Sequence, residues 1–226
     1  MADMMDQTLS SRVLAWVKLR FRTPSAAQQA TFTDIFMTNA WGSAESVSGP
    51  GSTVARGMDF QEELLSVLEA WNVRSLVDAP CGDFNWMRHL LADRDLIYTG
   101  VDIVAPLIAA NSRAYTTPSR RFICADMTRD DLPEADMILC RDALVHLSFA
   151  DARAAIRNFR RSGSRYLLAT TFVNHSRNKD VPTGGWRPLN LQAAPFSFPA
   201  PLALVDERIA HSGSHRDKCL GLWKLT

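Results

Sequence analysis

The stretch SLVDAPCGDFNWM, from Ser75 to Met87, begins like a buried strand and ends like a helix. A tight acidic turn, Asp-Ala-Pro-Cys-Gly-Asp, lies between them, and Gly82 allows the chain to change direction sharply there. A strand, a glycine turn and a helix in this order are typical of a nucleotide-binding loop. However, Pro80 and Phe84 stand where a glycine-rich loop would carry glycines. The stretch therefore predicts either a cofactor loop or a simple turn.

Strand-like apolar runs alternate with helical segments on the C-terminal side of this turn. This alternation is typical of an α/β domain with a mainly parallel sheet. The apolar runs are nearly continuous, which agrees because parallel strands are buried on both faces. We predict strands at Ser75–Ala79, Leu96–Asp102, Arg121–Ala125, Asp136–Cys140 and Tyr166–Phe172, and helices at Trp86–Leu91, Pro106–Tyr115 and Phe149–Ser162.

The N-terminal part of the chain shows helical periodicity at Leu9–Phe21, Gln28–Met37 and Met58–Ala70. The first of these helices either packs on the domain or contacts a membrane surface or a partner. The segment from Asn39 to Ser52 is rich in glycine and serine, which is typical of a flexible linker. Its Trp41 favours instead a loop that folds over another part of the molecule.

The C-terminal part begins with a long segment, residues 173–201, that is rich in proline, asparagine and glycine. Long loops in compact domains are often functional, so we expect a substrate lid in which Gly184 and Gly185 permit movement. Strands at Leu202–Ile209 and Lys218–Leu225 are predicted to form a closing hairpin. We thus expect one domain over residues 1–226, with an N-terminal extension (1–70), a cofactor-binding core (73–172), the lid (173–201) and the hairpin (202–226).

The composition restricts the class of protein. The chain has 226 residues, of which 46% are hydrophobic and 22% charged, as expected for one globular domain. Its 25 basic and 24 acidic residues give a net charge of +1, which argues against a general attraction to nucleic acid or anionic membranes. No signal peptide or long apolar run is evident, so we expect a cytoplasmic location without a transmembrane segment. The four cysteines form no CxxC pair, and no metal site is predicted.

Acidic residues end two of the predicted strands, at the edge where parallel sheets bind ligands. Asp102 follows Gly82 by 20 residues, the spacing at which a carboxylate accepts hydrogen bonds from a ribose diol. A helix cap is the alternative role for Asp102. Asp126 ends the next strand and is placed to accept a hydrogen bond from an adenine amino group, while Met127 covers the ring. A simple turn residue is the alternative for Asp126.

The charge of the first turn indicates which cofactor it binds. A dinucleotide needs close approach of a pyrophosphate to the backbone, and the carboxylate of Asp83, directly after Gly82, would repel it. A cofactor that carries positive charges and no phosphate is not repelled in this way. Asp78 and Asp83 favour these positive charges.

The sequence CRDALVHLS, from Cys140 to Ser148, follows the fourth predicted strand and places polar side chains beside the first turn. Asp142 and His146 are four residues apart and would share one face of a helix. A histidine that titrates near neutral pH can accept a proton from a substrate hydroxyl. A structural histidine that caps the following helix is an equally open alternative for His146.

These motifs together resemble class I S-adenosylmethionine-dependent methyltransferases over roughly residues 73–172. The turn DAPCGD resembles their motif I, GVDI their ribose-binding strand, ADM their adenine-contacting position and ILCRDALVHL their motif IV region. The resemblance implies a Rossmann-like, seven-stranded, mostly parallel sheet whose terminal strand inserts antiparallel. It also implies S-adenosylmethionine as the cofactor, with contacts from Asp78, Pro80, Gly82, Asp83, Trp86, Asp102, Ile103, Asp126, Met127 and Arg141.

The acceptor is expected to bind to segments outside the cofactor core, where aromatic rings are mixed with amides and charges. The candidate acceptor-binding residues are Trp41, Ser48, Asn174, Trp186, Arg187 and Asn190. This mixture suits a glycan or another small hydroxylated molecule, although the lid residues can equally form hydrogen bonds within the lid. We therefore predict an O-methyltransferase in which His146 and Asp142 are catalytic.

Two other classes of function are left open by the sequence. The first is a nucleic-acid or protein methyltransferase, since arginines cluster around one predicted helix at positions 153, 157, 160, 161 and 165. A solvated helix face is the simpler explanation of that cluster. The second is a non-catalytic cofactor-binding or scaffold protein. No feature of the sequence indicates an oligomeric state.

Overall fold

The computed structural model describes residues 26–92, 94–207 and 216–225 of the chain. The helices in these ranges are α1 (Ala26–Thr38), α2 (Val54–Met58), α3 (Gln61–Ala70), α4 (Met87–Leu90), α5 (Ala105–Tyr115) and α6 (Phe149–Arg161). The strands are β1 (Ser75–Asp78), β2 (Ile97–Asp102), β3 (Arg120–Cys124), β4 (Met137–Cys140), β5 (Tyr166–Phe172), β6 (Ala203–Asp206) and β7 (Lys218–Lys224). Short 3-10 helices lie at Pro50–Ser52 and Leu144–His146.

The strands form one seven-stranded sheet in the order β3-β2-β1-β4-β5-β7-β6. The first five strands are parallel, and β7 lies antiparallel between β5 and β6. This confirms the predicted Rossmann-like α/β fold with its antiparallel C-terminal hairpin. The chain runs outward from β1 to β3 and then returns to β4, so the strand order reverses beside β1. Parallel sheets of this type bind ligands at that reversal.

Both faces of the sheet are buried, which explains the nearly continuous apolar runs in the sequence. Successive strand residues point to opposite faces, so Leu76 packs in one cluster and Val77 in the other. Helix α3 contributes Leu64 to the cluster that contains Leu76, and α6 contributes Phe159 to the cluster that contains Val77. The two helices therefore cover opposite faces and leave the carboxyl ends of the strands open for a site.

Phe84, which replaces an expected glycine in the first turn, is a core residue. Its backbone has a φ of 59°, a conformation that is uncommon for a residue other than glycine. The side chain is only 1% exposed, and its ring centroid lies 5.1 Å from that of Tyr98, 5.3 Å from Tyr115 and 5.2 Å from Phe122. The aromatic cluster thus stabilises the turn that a glycine would only permit.

Some predicted boundaries are wrong. The helix predicted over Met58–Ala70 is split into α2 and α3, with Asp59 and Phe60 between them. The split arises because Phe60 leaves helical geometry to bury its ring, whose centroid lies 5.4 Å from that of Trp86. The helix predicted over Trp86–Leu91 is shorter, as α4 covers only Met87–Leu90.

The predicted helix Leu9–Phe21 and the end of the predicted strand Leu202–Ile209 lie outside the described residues; the described part of that strand is β6. None of the helices within the described ranges is long and apolar enough to cross a membrane.

Substitution of Phe84 by alanine is expected to lower the free energy of unfolding by about 3–5 kcal/mol, as is typical for a buried Phe. Alanine meets the same backbone cost at positive φ, so the loss reports the removed ring. Urea denaturation measures the difference. Leu202, which is 54% exposed, provides the control, since Leu202→Ala should change stability by about 0.5 kcal/mol or less. Equal effects of the two substitutions would contradict the role of Phe84.

Candidate active site

A cavity of about 700 Å³ opens at the carboxyl ends of the parallel strands, where the strand order reverses. Residues that directly follow or end β1, β2, β3 and β4 form its floor. Helix α1, the segment 41–52 and the lid residues 184–186 form its walls. The cavity therefore combines the predicted cofactor edge of the sheet with the segments predicted to bind an acceptor.

Gly82 is required in the first turn for two separate reasons. Its φ of 53° lies in the left-handed region, which glycine adopts without a steric cost. In addition, a Cβ atom at this position would lie 2.2 Å from Ser48 Oγ and 2.9 Å from Ser48 Cβ. Because the Cβ of Ser48 is also too close, rotation of its hydroxyl would not relieve the contact.

The carboxylate of Asp83 holds the segment 46–48 against the first turn. It accepts hydrogen bonds from Ser46 Oγ at 3.0 Å, the Val47 amide at 3.0 Å and Ser48 Oγ at 3.2 Å. In return, the Asp83 amide donates to Ser48 Oγ at 2.9 Å. The glycine- and serine-rich segment is thus a folded wall of the cavity, as its Trp41 indicated, and the alternative of a flexible linker is excluded.

Asp83 is absent from the residues that line the cavity. The predicted contact between its carboxylate and the cofactor is therefore corrected, because both oxygens are used by the segment 46–48.

Asp78 and Asp102 are buried carboxylates that line the cavity. Burial raises the pKa of Asp78 to about 7, against the opposing hydrogen bond that Tyr98 donates at 2.7 Å. Burial likewise raises the pKa of Asp102 to about 6. Asp102 accepts hydrogen bonds from the amides of Gly82 at 3.1 Å and Val104 at 3.0 Å. It therefore joins the ends of β1 and β2 while facing the cavity.

Asp126 has one carboxylate oxygen engaged and one without a partner. Its Oδ1 accepts hydrogen bonds from the amide and the hydroxyl of Thr128, at 2.8 and 2.6 Å, as in a local turn. Its Oδ2 is buried and has no hydrogen-bond partner. A buried polar atom without a partner is costly, and Asp126 lines the cavity. A donor group of a bound ligand would satisfy this oxygen.

Arg141 is buried and held by protein groups. Its guanidinium donates to Glu207 Oε2 at 2.6 Å and to the Gly51 carbonyl at 2.8 Å. It also lies 4.9 Å from the Phe60 ring centroid and 5.3 Å from that of Trp86. Arg141 therefore lines the cavity mainly as a structural cation.

Asp142 is paired with Lys218, whose Nζ donates to its Oδ2 at 2.6 Å and lies 3.0 Å from Glu207 Oε2. Burial opposes ionisation, but the charges of Lys218 and Arg141 outweigh it and lower the pKa of Asp142 to about 2. A carboxylate with such a pKa is a poor proton acceptor at neutral pH. Asp142 is thus a constant negative charge at the cavity.

His146 ends the 3-10 helix Leu144–His146, and Asp142 has a φ of 51°. The prediction that the two share one face of an α-helix is therefore wrong, although both line the cavity. His146 Nδ1 lies 2.8 Å from the Gly185 carbonyl. A carbonyl can only accept, so Nδ1 carries the proton and Nε2 of the neutral ring is the acceptor. Burial lowers the pKa of His146, which favours this neutral form.

The lid is bound to the turn that carries His146. The Gly184 amide donates to the His146 carbonyl at 2.8 Å, and the Arg187 amide donates to the Val145 carbonyl at 3.2 Å. The Ser148 amide donates to Thr183 Oγ1 at 2.9 Å. The predicted flexible glycine pair is thus held by hydrogen bonds, and the lid orients the imidazole through the Gly185 carbonyl.

The comparisons with known proteins agree with this geometry. Residues 76–163 match the family model described as methyltransferase domain. Residues 76–163 thus form a methyltransferase domain, and its fold and cofactor are those of S-adenosylmethionine-dependent methyltransferases. No curated protein matches the sequence of the chain.

Two solved structures share the fold of this chain, and a third is less similar. Magnesium protoporphyrin IX methyltransferase from Synechocystis PCC 6803, with bound S-adenosylmethionine, has a TM-score of 0.53 at 13% identity, and the match covers 90% of this chain and 99% of that one. TnmH has a TM-score of 0.53 at 18% identity, and the match covers 76% of this chain and 56% of TnmH. The methyltransferase domain of bacterial CtHen1 has a TM-score of 0.46 at 18% identity, with 51% and 66% covered. The chain thus spans about half of the length of TnmH and about two thirds of that of the CtHen1 domain.

The predicted cofactor residues of the methyltransferase domain lie together, with the exception of Asp83. Those that line the cavity are Asp78, Pro80, Gly82, Trp86, Asp102, Ile103, Asp126, Met127 and Arg141. The predicted catalytic residues His146 and Asp142 line the same cavity, as do the predicted acceptor residues Trp41, Ser48 and Trp186.

Three predicted acceptor residues lie outside the lining of the cavity. Asn190 donates through its side chain to the Val173 and His175 carbonyls, at 3.4 and 3.0 Å. Arg187 is buried and donates to the Leu144 carbonyl at 2.7 Å. Asn174 is exposed, and its backbone amide donates to the carboxylate of Asp217. Asn190 therefore forms hydrogen bonds within the lid, which was the alternative left open by the sequence. Arg187 bonds to the 3-10 helix instead, and its other two guanidinium nitrogens are buried without a hydrogen-bond partner among the described residues.

Sequence reasoning missed the contribution of α1 to the methyltransferase site. Phe32 and Phe36 of this helix line the cavity, and Gln29 Nε2 donates to the Ile103 carbonyl at 3.3 Å. None of the α1 side chains is fully buried. The two phenylalanines on this half-exposed helix were the feature of the sequence that could have indicated a binding surface. Lys218 was also missed, because its partner Asp142 lies 76 residues away in sequence.

Replacement of Gly82 by alanine should abolish detectable binding of S-adenosylmethionine, because the new Cβ displaces Ser48 and with it the first turn. Isothermal titration calorimetry measures the binding. Gly42 is a matched control: its φ is 68°, and a Cβ there would meet nothing within 4 Å. Both substitutions incur the left-handed cost of about 1–2 kcal/mol, but Gly42→Ala should retain binding. Normal binding by Gly82→Ala would show that the close contact with Ser48 is unimportant.

Proposed function

We propose that the protein transfers the methyl group of S-adenosylmethionine to a hydroxyl group of a small molecule, with His146 as the general base. The contact of 2.8 Å between His146 Nδ1 and the Gly185 carbonyl carries this proposal. It defines which ring nitrogen holds the proton and leaves Nε2 to accept one. Burial lowers the pKa of His146, so the base is neutral and competent at physiological pH.

The strand ends supply the groups that would hold the cofactor. Asp102 would accept hydrogen bonds from the ribose hydroxyls, since it lines the cavity at the end of β2. Asp126 Oδ2 lacks a donor and would accept one from the adenine amino group. Met127 and Ile103 line the same part of the cavity and would cover the adenine. Asp78 would offset the positive charge of the cofactor.

Methyl transfer requires the protein to orient the two reactants and to provide one proton acceptor. When bound, the cofactor supplies a methyl group on a positively charged sulfur. His146 Nε2 would accept the proton that the acceptor oxygen loses, and the cofactor would supply the methyl group to that oxygen and keep the electron pair of its carbon–sulfur bond. The hydrogen bond from the ring to Gly185 orients the imidazole during this step.

Asp142 supports His146 through its charge. Lys218 holds its carboxylate at 2.6 Å, and the negative charge of Asp142 raises the pKa of His146 against the larger, lowering effect of burial. An imidazolium that forms when His146 accepts a proton would thus be stabilised. Asp142 is therefore proposed to contribute electrostatically, without itself taking up a proton.

The arginine cluster around α6 gives little support to a nucleic-acid substrate. Arg161 pairs with Asp131 at 3.2 Å, Arg165 lies 3.6 Å from Asp136, and Arg153 donates to the Pro195 carbonyl at 3.4 Å. Because these side chains already contact protein groups, a solvated helix face explains the cluster. A small-molecule acceptor is thus favoured over a nucleic acid.

His146→Gln should reduce methyl transfer by at least about 100-fold, the usual contribution of a general base, while the affinity for S-adenosylmethionine changes less than about twofold. Transfer of radiolabelled methyl from the cofactor and calorimetric binding measure the two effects. His89→Gln serves as the control, because His89 is exposed and does not line the cavity. Unchanged transfer by His146→Gln would remove His146 from the role of base.

Binding of S-adenosylmethionine should strengthen as the pH rises from about 5 through about 7 and level off above about 8, because a cation binds preferentially to ionised Asp78. The pKa of about 7 for this carboxyl in the free protein sets the upper end of the range. Calorimetry in buffers of different ionisation enthalpy would also detect the released proton. Asp78→Asn should bind more weakly and lose the response near pH 7, and an unchanged response would contradict the role of Asp78.

A further inference from the structure

Five aromatic side chains from separate segments surround one part of the cavity, and we call them the aromatic wall. Helix α1 contributes Phe32 and Phe36, the segment 41–52 contributes Trp41, the end of β5 contributes Phe172, and the lid contributes Trp186. All five line the cavity. Four of them are half-buried or exposed, with Trp186 at 45% exposure, so much of their apolar surface is available to a ligand.

The aromatic wall lies around His146. The ring centroid of Trp41 is 5.2 Å from that of His146. Trp186 directly follows Gly185, whose carbonyl contacts His146, and its ring meets Phe172 edge-on at 6.2 Å.

Helix α1 closes the other side of the wall, because its Thr31 lies so near Gly184 that a Cβ there would be 2.6 Å from Thr31 Cγ2. The residues that would position an acceptor hydroxyl at His146 are thus mainly aromatic.

Two polar side chains that line the cavity near the aromatic wall are engaged within the protein. Ser48 bonds to Asp83, and Lys218 bonds to Asp142 and Glu207. The amides predicted to recognise a polyhydroxylated ligand lie outside the cavity lining. A sugar would therefore bury several hydroxyls with few partners, which is unfavourable. A flat apolar ring would instead bury the exposed aromatic surface and stack on it.

We propose that the methyl acceptor is a flat aromatic compound with a hydroxyl on its ring, held by the aromatic wall with that hydroxyl at His146. This inference rests on the proposed function and narrows its substrate class from small hydroxylated molecules to phenols. Glycans, which the sequence analysis named among the small hydroxylated acceptors, are disfavoured by the same geometry.

The acidity of the acceptor agrees with the base that the site provides. A phenol has a pKa of about 10, as in tyrosine, whereas an aliphatic hydroxyl resembles water and has a much higher pKa. Burial lowers the pKa of His146, so it is a weak base. Proton transfer from a phenol to such a base is far less unfavourable than transfer from a sugar hydroxyl.

The test compares β-naphthol with methyl β-glucopyranoside as probes. Calorimetry measures the binding of each probe to the full-length protein saturated with S-adenosylhomocysteine, so the readout does not depend on turnover. We expect β-naphthol to bind at least about tenfold more tightly than the glucoside. Equal or tighter binding of the glucoside would overturn the proposal.

Trp186→Ala identifies the aromatic wall as the site of this binding. The substitution should weaken β-naphthol binding by about tenfold or more and leave the affinity for S-adenosylhomocysteine unchanged. Trp186 is 45% exposed, so its removal leaves the core intact, and circular dichroism confirms folding. Trp71→Ala is the matched control, because Trp71 packs in the cluster on the α3 face of the sheet and does not line the cavity.

An unchanged affinity of Trp186→Ala for β-naphthol would overturn the proposed wall. Failure of the proposed function gives a different result: His146→Gln would then retain methyl transfer, whatever the preference between the two probes.

Discussion

The hydrogen bonds of the Asp83 carboxylate to the segment 46–48 are the contact on which the rest of the site depends. They bring an N-terminal segment onto the turn after β1 and so convert an open sheet edge into a cavity. The contact is possible only because Gly82 leaves room for Ser48. The same segment carries Trp41 to His146. One carboxylate thereby couples the geometry of the cofactor turn to that of the acceptor wall.

A second set of buried charges joins the C-terminal hairpin to the cavity. Arg141 and Asp142 follow β4, while Glu207 follows β6 and Lys218 begins β7, and the four form a connected network. Buried charges are costly unless they are paired, so removal of any member would leave an uncompensated charge. The network therefore aligns the antiparallel strand with the parallel part of the sheet and holds Asp142 ionised beside His146.

The sequence predicted the sheet and the cofactor edge well because both depend on local patterns. Apolar runs identify strands buried on both faces, and Asp102 and Asp126 mark strand ends. The lid was harder to predict, since Asn190 and Arg187 have the chemistry of ligand-binding residues but donate to backbone carbonyls of the lid and of the 3-10 turn. Which acceptor such a side chain bonds to depends on tertiary contacts, which the sequence does not reveal. For the same reason, the sequence predicted α1 as a helix but did not predict that it lines the cavity.

The acidic turn illustrates how a correct inference can rest partly on the wrong residue. The negative charge of the sequence DAPCGD favoured a cationic cofactor, and S-adenosylmethionine is confirmed. However, the carboxylate of Asp83 accepts hydrogen bonds from the segment 46–48 and does not face the cavity. Under the proposed function, the charge that faces the cofactor would come from Asp78 and Asp102, whose pKa values are raised to about 7 and about 6 by burial. A carboxylate that is reluctant to ionise gains most from a neighbouring cation. Under the proposed function, the preference for a cationic cofactor therefore depends on these two buried carboxyls more than on the number of acidic residues in the turn.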